Sequence, residues 1–227
     1  MKSFRIVSFI VAAAAALCAT ASAGTIKGSV RYSGAPMERK KIPVTIDQYL
    51  CGKEKEAGDL LLAPNNGIQN VVVSLQGVAG AKWPANPAPV KMDQNKCDFI
   101  PRVVIVPVGG TVDFLNSDRL MHNVRSGGKD NPPFNRAQPH ARTIAIGFKH
   151  PEVMRVDCDL HSWMRGWVVV AEHPFYTLTN DAGDFVLDNV PPGKYTLQVW
   201  QESLGTTTQE VTVSGDSTTV AVRMQKK

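Results

Sequence analysis

The sequence predicts an all-β protein built from sandwiches, and three observations carry that expectation. Beyond the first 23 residues no stretch shows the 3.6-residue apolar period of an amphipathic helix; short Val, Ile, Thr and aromatic runs recur instead; and Gly, Pro, Asn and Asp punctuate them. The runs cover residues 25–32, 70–75, 102–106, 111–116, 142–146, 153–158, 166–171, 184–187, 195–200, 209–213 and 218–223. Many short strands with turn signals between them are the pattern of two-sheet packing.

Residues 1–23 read as an export signal and not as part of the fold. Lys2 and Arg5 form a basic start, residues 6–17 an apolar segment, and Ala21-Ser22-Ala23 a small-residue cleavage site before Gly24. Leu17 stands where a lipoprotein signal has a small residue before its cysteine, so Cys18 is expected to leave with the signal. No later run approaches the roughly 18 apolar residues of a membrane helix. A soluble periplasmic or secreted protein is expected. The formal charge of +5 falls to +3 without Lys2 and Arg5, and no Lys/Arg run suggests nucleic acid.

Two stretches interrupt the strand pattern. Residues 36–66 are polar and include Lys53-Glu54-Lys55-Glu56, an excursion that Cys51 can staple down. Residues 83–89 hold three prolines, which a central strand does not tolerate, and read as a linker. Farther on, the turn and strand of Thr179-Asn180-Asp181-Ala182-Gly183-Asp184-Phe185 precede Val190-Pro191-Pro192-Gly193-Lys194-Tyr195-Thr196-Leu197. This pair of motifs resembles the carboxypeptidase-regulatory-like, transthyretin-like or CNA-B-like β-sandwich family. The family's opening strands have counterparts far upstream, at Gly24-Thr25-Ile26-Lys27-Gly28-Ser29-Val30 and Asn70-Val71-Val72-Val73-Ser74-Leu75. The resemblance therefore implies one sandwich split into residues 24–90 and 172–227, with residues 91–171 inserted in it; a tandem arrangement is the alternative.

The inserted segment carries the chemistry. Cys158, His161 and Met164 stand at Cys-x2-His-x2-Met spacing, and His122 offers a second imidazole from a separate loop. A thiolate, two imidazoles and a long thioether are the ligands of an electron-transfer copper site. Cysteine arithmetic agrees. Three cysteines follow the signal, and if Cys158 is a metal thiolate, Cys51 and Cys97 remain to form a disulfide. Alternation along residues 153–158 turns Val156 and Cys158 inward and Arg155 and Asp157 outward. One short loop between two strands then delivers three ligands, which suits a site that must serve two oxidation states with little rearrangement.

Phe99-Ile100-Pro101, Val108-Gly109-Gly110-Thr111-Val112-Asp113-Phe114-Leu115-Asn116, His122-Asn123-Val124 and the Cys158 loop follow one another in the order of the cupredoxin family, so residues 99–171 resemble the amicyanin and plastocyanin group. The resemblance implies a Greek-key sandwich holding one type 1 copper ion through His122, Cys158, His161 and Met164. It further implies that the Asn123 backbone N–H reaches the cysteine sulfur while its side chain ties two loops, and that His161 is the solvent-edge ligand. Trp163 and Trp167 are expected to border the site. The implied activity is one-electron transport with no catalytic residues, exchanged with a redox protein such as a cytochrome, an oxidase or a dehydrogenase.

Other readings exist. Zinc would accept one Cys and two His but takes Met poorly, and a dinuclear copper centre needs a second cysteine in the loop. An ordinary buried thiol with surface histidines would make the chain a non-catalytic binding or structural module, and a periplasmic copper-handling protein is a third reading. His140 is the reserve ligand; His150 and His173, each before proline, read as solvated loop residues. Arg102 occupies a place where similar sequences carry His, which argues against a second metal there. Arg119, Arg125, Lys129, Arg136, Arg142 and Arg165 form a basic rim, either merely solvated or suited to an acidic partner.

Overall fold

The computed structural model describes residues 22–226, so the expected export signal, Cys18 included, lies outside the described residues except for Ser22 and Ala23. The chain begins with β1 (Gly24–Tyr32), β2 (Lys41–Pro43), the one-turn helix α1 (Gln48–Cys51), β3 (Glu54–Glu56) and β4 (Val72–Gln76). Next come β5 (Val90–Asn95), β6 (Asp98–Ile100), β7 (Val103–Pro107), β8 (Thr111–Asn116), β9 (His122–Ser126), β10 (Phe134–Gln138), β11 (Ile144–Gly147), β12 (Glu152–Asp157) and β13 (Arg165–Ala171). The last strands are β14 (Tyr176–Leu178), β15 (Asp184–Val190), β16 (Gly193–Gln201), β17 (Gly205–Val213) and β18 (Ser217–Met224). The protein is all-β, as its strand-like runs predict.

One sandwich draws on both ends of the chain. Its three-stranded sheet is ordered β15-β1-β18 and its four-stranded sheet β14-β4-β16-β17. β1 is antiparallel to β15 and parallel to β18, so the first strand pairs with strands about 160 to 190 residues later in the chain. Inward positions at period two fill the core: Ile26 and Val30, Val73 and Leu75, Phe185 and Leu187, Leu197 and Val199. At the turn before β15, Asn180 Oδ1 accepts from the backbone N–H of Ala182 and Asp184, and Gly183 adopts φ 78°. A Cβ at Gly183 would lie 2.6 Å from the Cα of Gly67, so only glycine lets the turn pack onto that strand-linking backbone.

β5 to β13 form the other sandwich. A five-stranded sheet, β10-β9-β12-β13-β7, faces a four-stranded sheet, β11-β8-β5-β6. Met92, Phe99, Val112, Phe114, Val124, Met154, Val156 and Val168 fill the space between them. The two sandwiches meet where β4 approaches β7 and β13. There Val72, Val103 and Val169 are buried together, and Trp167 lies edge-on to Trp200 with centroids 5.0 Å apart. This contact explains two sequence runs that do not alternate. β4 and β13 are covered on both faces, so Val71-Val72-Val73 and Val168-Val169-Val170 are apolar throughout. It also moves Trp167 from the site border, where the sequence reading puts it, to the opposite face of β13.

Arg102 bridges the same junction. Its Nε and Nη2 donate to the two carboxylate oxygens of Glu202 at 2.6 and 2.9 Å, and its Nη1 to the Arg165 carbonyl at 3.1 Å. The Glu202 side chain is 7% exposed and that of Arg102 17%.

The polar excursion is a two-stranded arm. β2 and β3 pair antiparallel with Lys41 opposite Glu56, and α1 sits in the connection that forms the arm's tip. Cys51 at the end of α1 is bonded to Cys97, in the turn between β5 and β6, with Sγ–Sγ 2.04 Å. Among the described residues no helix is long and apolar enough to cross a membrane.

Because Glu202 and Arg102 are paired bidentately and largely out of water, removing one partner strands the other. Glu202→Ala is expected to lower unfolding free energy by roughly 3 kcal/mol, whereas Arg102→Met with Glu202→Leu recovers most of the loss. Denaturant unfolding of the three proteins checks this; equal losses in the single and double variants contradict it.

Candidate metal centre

His122 and Cys158 emerge at one end of the second sandwich because the strand period puts them there. β12 alternates Met154, Val156 and then Cys158 into the core, and the thiol is 3% exposed. His122 opens β9 beside it and is fully buried. The Cys158 to Met164 loop closes on itself: the Cys158 N–H donates to the Met164 carbonyl at 3.3 Å and the Met164 N–H to the His161 carbonyl at 2.9 Å. His161 is fully buried and Met164 is 1% exposed.

The structure brings the donors together. His122 Nδ1 and His161 Nδ1 are 3.0 Å apart, and Cys158 Sγ lies 3.9 Å from the first and 3.7 Å from the second. Each imidazole is held from behind by a carboxylate. His122 Nε2 is 2.9 Å from Asp118 Oδ2, and His161 Nε2 is 3.1 Å from Asp47 Oδ2. With the carboxylates accepting from Nε2–H, each ring in its neutral form turns its Nδ1 lone pair toward the other and toward the sulfur. Three such donors converging out of water can share one cation, whether a proton or a metal ion. A triangle with sides of 3.0 to 3.9 Å suits a soft or borderline transition metal bound by nitrogen and sulfur, so the donor set fits copper.

Titration behaviour follows from the burial. Desolvation pushes the Cys158 thiol up, opposed by the backbone N–H groups of Asn123, His161 and Leu160 that point at the sulfur. Desolvation also holds the His122 imidazole below the ordinary histidine range, against the pull of Asp118. Without a metal the site therefore favours a protonated thiol and an uncharged His122.

Asn123 joins two loops. Its Oδ1 accepts from the Asp159 N–H at 2.6 Å, and its Nδ2 donates to Asp159 Oδ2 and Asn135 Oδ1 at 3.0 and 2.8 Å. Asp159 is in turn held below the usual carboxylate range by Asn135 and Arg125. Asn116 anchors the other loop, with Nδ2 on the Leu120 and Gln138 carbonyls and Oδ1 on the Asp118 N–H.

Several sequence expectations change. His161 is not at a solvent edge: the arm covers it, and Asp47 occupies the Nε2 position that water would otherwise reach. Asp157 does not point to open solvent but sits among Arg125, Arg155 and Arg165 with its side chain 14% exposed. His140 stays outside the donor cluster, its Nδ1 2.9 Å from the Asp118 carbonyl oxygen. His150 is exposed. His173 is 5% exposed and packs on Phe175 and Tyr176, because the turn into β14 folds it inward. Trp163 does border the site, its ring 5.2 Å from that of His161 and its Nε1–H on the Cys97 carbonyl at 3.0 Å.

Asp47 and Asp118 are the site residues that sequence reasoning misses. Asp118 had a weak local signal, four residues before His122. Asp47 had none, since it meets His161 across 114 positions.

Residues 164–225 match the family model of the carboxypeptidase regulatory-like domain. The matched span takes in β13 to β18, and β1 and β4 complete its sheets from outside it. No curated protein matches the chain. Among solved structures it is similar to a Cu-containing nitrite reductase from Thermus scotoductus SA-01, at 29% identity and a TM-score of 0.36; the match covers 42% of this chain and only 25% of the reductase. It is also similar to a purple cupredoxin from Nitrosopumilus maritimus, at 22% identity over 36% of this chain and 99% of that one, with a TM-score of 0.32. An oxidized mutant of amicyanin matches at 22% identity over 40% and 90% of the two chains, with a TM-score of 0.35. Both resemblances read from the sequence thus recur, the regulatory-like domain as a family match and cupredoxins among the similar structures.

Metal binding must displace the proton from a thiol whose pKa is raised. Apparent affinity for a thiophilic metal is expected to climb about tenfold per pH unit across neutral pH, up to the thiol's own titration. Competition titrations at pH 6, 7 and 8 check this, and Cys158→Ala should flatten the slope; an unchanged slope in that variant contradicts the assignment.

Proposed function

We propose that the protein is an exported type 1 copper protein that carries single electrons between redox partners. The observation supporting this most directly is the buried convergence of His122 Nδ1, His161 Nδ1 and Cys158 Sγ, each imidazole oriented by a carboxylate at Nε2. In this reading His122, Cys158 and His161 would hold the ion, with the Met164 thioether as a further, weaker ligand. Bound copper supplies a one-electron couple, with no substrate required. The chain's own residues supply the rest. Asp118 and Asp47 fix the ring orientations, the N–H groups aimed at Cys158 Sγ stabilise negative charge on the sulfur, and the sandwich excludes water. Such a preset geometry keeps rearrangement small between oxidation states.

Complete burial of the three donors favours a resident ion over one passed to another protein, so a carrier is preferred to a copper-handling role. In the same reading residues 91–171 form the metal-holding unit, residues 24–90 with 172–227 the supporting sandwich, and residues 1–23 the signal for a periplasmic or secreted location. No catalytic residue is assigned. Arg125 and Arg165 of the basic rim are engaged with Asp157 and Asp159, whereas Arg119, Lys129, Arg136 and Arg142 have no ion pair among the described residues. Those four suit an acidic redox protein as partner.

Titration of the purified protein with Cu(II) is expected to give an intense blue thiolate charge-transfer band that saturates at one equivalent and is lost in Cys158→Ala. No band, together with ready alkylation of Cys158, would instead indicate a non-catalytic β-sandwich module. With an acidic redox protein as electron donor, the second-order rate should drop steeply as salt rises; a salt-independent rate removes the basic rim from the docking surface.

A further inference from the structure

The arm tip and the metal end of the sandwich are joined into a ring. From Cys51 the disulfide passes to Cys97, whose N–H and that of Lys96 donate to the two oxygens of Asp118 at 2.7 and 2.6 Å. Asp118 holds His122, His122 meets His161 at the donor triangle, and His161 returns through Asp47 to the arm. The two disulfide sulfurs and a ring nitrogen of His161 all lie within 4.8 Å of one another, so the disulfide is packed against the imidazole it secures.

Asp47 is held for this contact at the expense of its local role. It is the residue before α1, where an aspartate ordinarily caps the helix with its carboxylate. Here the side chain makes no capping bond, the backbone is left-handed at φ 54° and ψ 32°, and the carboxylate reaches across to His161. Aspartate adopts this region more readily than most residues, and here the conformation leaves its carboxylate off the helix end and within reach of His161.

We infer that Asp47 is a positioning residue for the metal centre, delivered by a disulfide-pinned arm to hold His161 with Nδ1 facing the ion and to close the imidazole edge to solvent. The inference rests on the copper reading above and adds the residue that sets the site's affinity and potential. A carboxylate accepting the Nε2–H makes the imidazole a stronger donor and favours the oxidised ion. The Cys51–Cys97 bond is the arm's covalent tie to the sandwich, beside the burial of Val44 and the Lys55–Asp98 ion pair.

The test uses Asp47→Ala, Asp47→Asn and the paired Cys51→Ser/Cys97→Ser variant, each checked for folding by its unfolding transition. Reduction potential is expected to rise in the order wild type, Asp47→Asn, Asp47→Ala, with the cysteine variant resembling Asp47→Ala. Copper affinity should fall at least about tenfold in Asp47→Ala. A wild-type blue band with the same potential in all four proteins overturns the role of Asp47 and leaves the copper reading standing. Imidazole 15N NMR of the metal-free chains decides the matter even if no band forms. The wild type should show His161 with its proton fixed on Nε2, and Asp47→Ala a mixture of tautomers; identical His161 signals in the two overturn the inference.

Discussion

Two imidazole nitrogens 3.0 Å apart, with a buried sulfur beside both, converge on one point, and with both Nδ1 unprotonated their lone pairs repel unless a proton or a metal ion lies among them. The repulsion arises because Asp118 and Asp47 claim the opposite nitrogen of each ring. Were either carboxylate replaced by an apolar group, that ring would be free to change tautomer and donate Nδ1–H to its neighbour, and the cluster would present fewer lone pairs to an ion. The outer carboxylates therefore matter as much as the three donors, since they turn three lone pairs toward the one point where an ion would sit.

The scaffold explains how such a cluster is kept. Cys158 is carried inward by the same alternation that buries Met154 and Val156, and the following loop is too short to turn the thiol elsewhere. β12 and β13 enclose that loop, and β13 is covered on both faces, by its own core and by β4 of the neighbouring sandwich. The neighbouring sandwich thus stiffens the strand that leaves the metal loop, with Arg102 and Glu202 pinning the junction at its edge. On the other side the disulfide secures the arm, so the site is braced by elements from three separate stretches of chain.

Much of this was legible in the residues. The period-two pattern gave the all-β class and the inward Cys158, and the spacing of Cys158, His161 and Met164 with a distant His122 pointed to a metal before any geometry was known. Three cysteines after the signal left one thiol and one pair, and the pair is Cys51–Cys97. What could not be read depends on contacts between distant segments. The polar run 36–66 gives no sign that its tip reaches His161, since nothing in its pattern sets Asp47 apart and the two residues are 114 positions apart. The resemblance that makes His161 solvent-exposed has no term for an added arm. Trp167 was assigned to the site by its closeness in sequence to Met164, but one residue along a strand reverses the face, and it packs on Trp200 instead. The runs also lack β2, β3, β5, β6, β9, β10 and β14: β9 starts at His122, which reads as a loop residue, and β10, Phe134-Asn135-Arg136-Ala137-Gln138, is a polar edge strand buried only at its two ends.

The central claim is that one thiolate and two imidazoles share a single ion. X-ray absorption at the copper edge of the loaded protein tests it most directly. The account predicts a first shell of two nitrogen scatterers and one short sulfur scatterer, with the sulfur lost in Cys158→Ala. A shell of nitrogen and oxygen alone in the unaltered protein would contradict it.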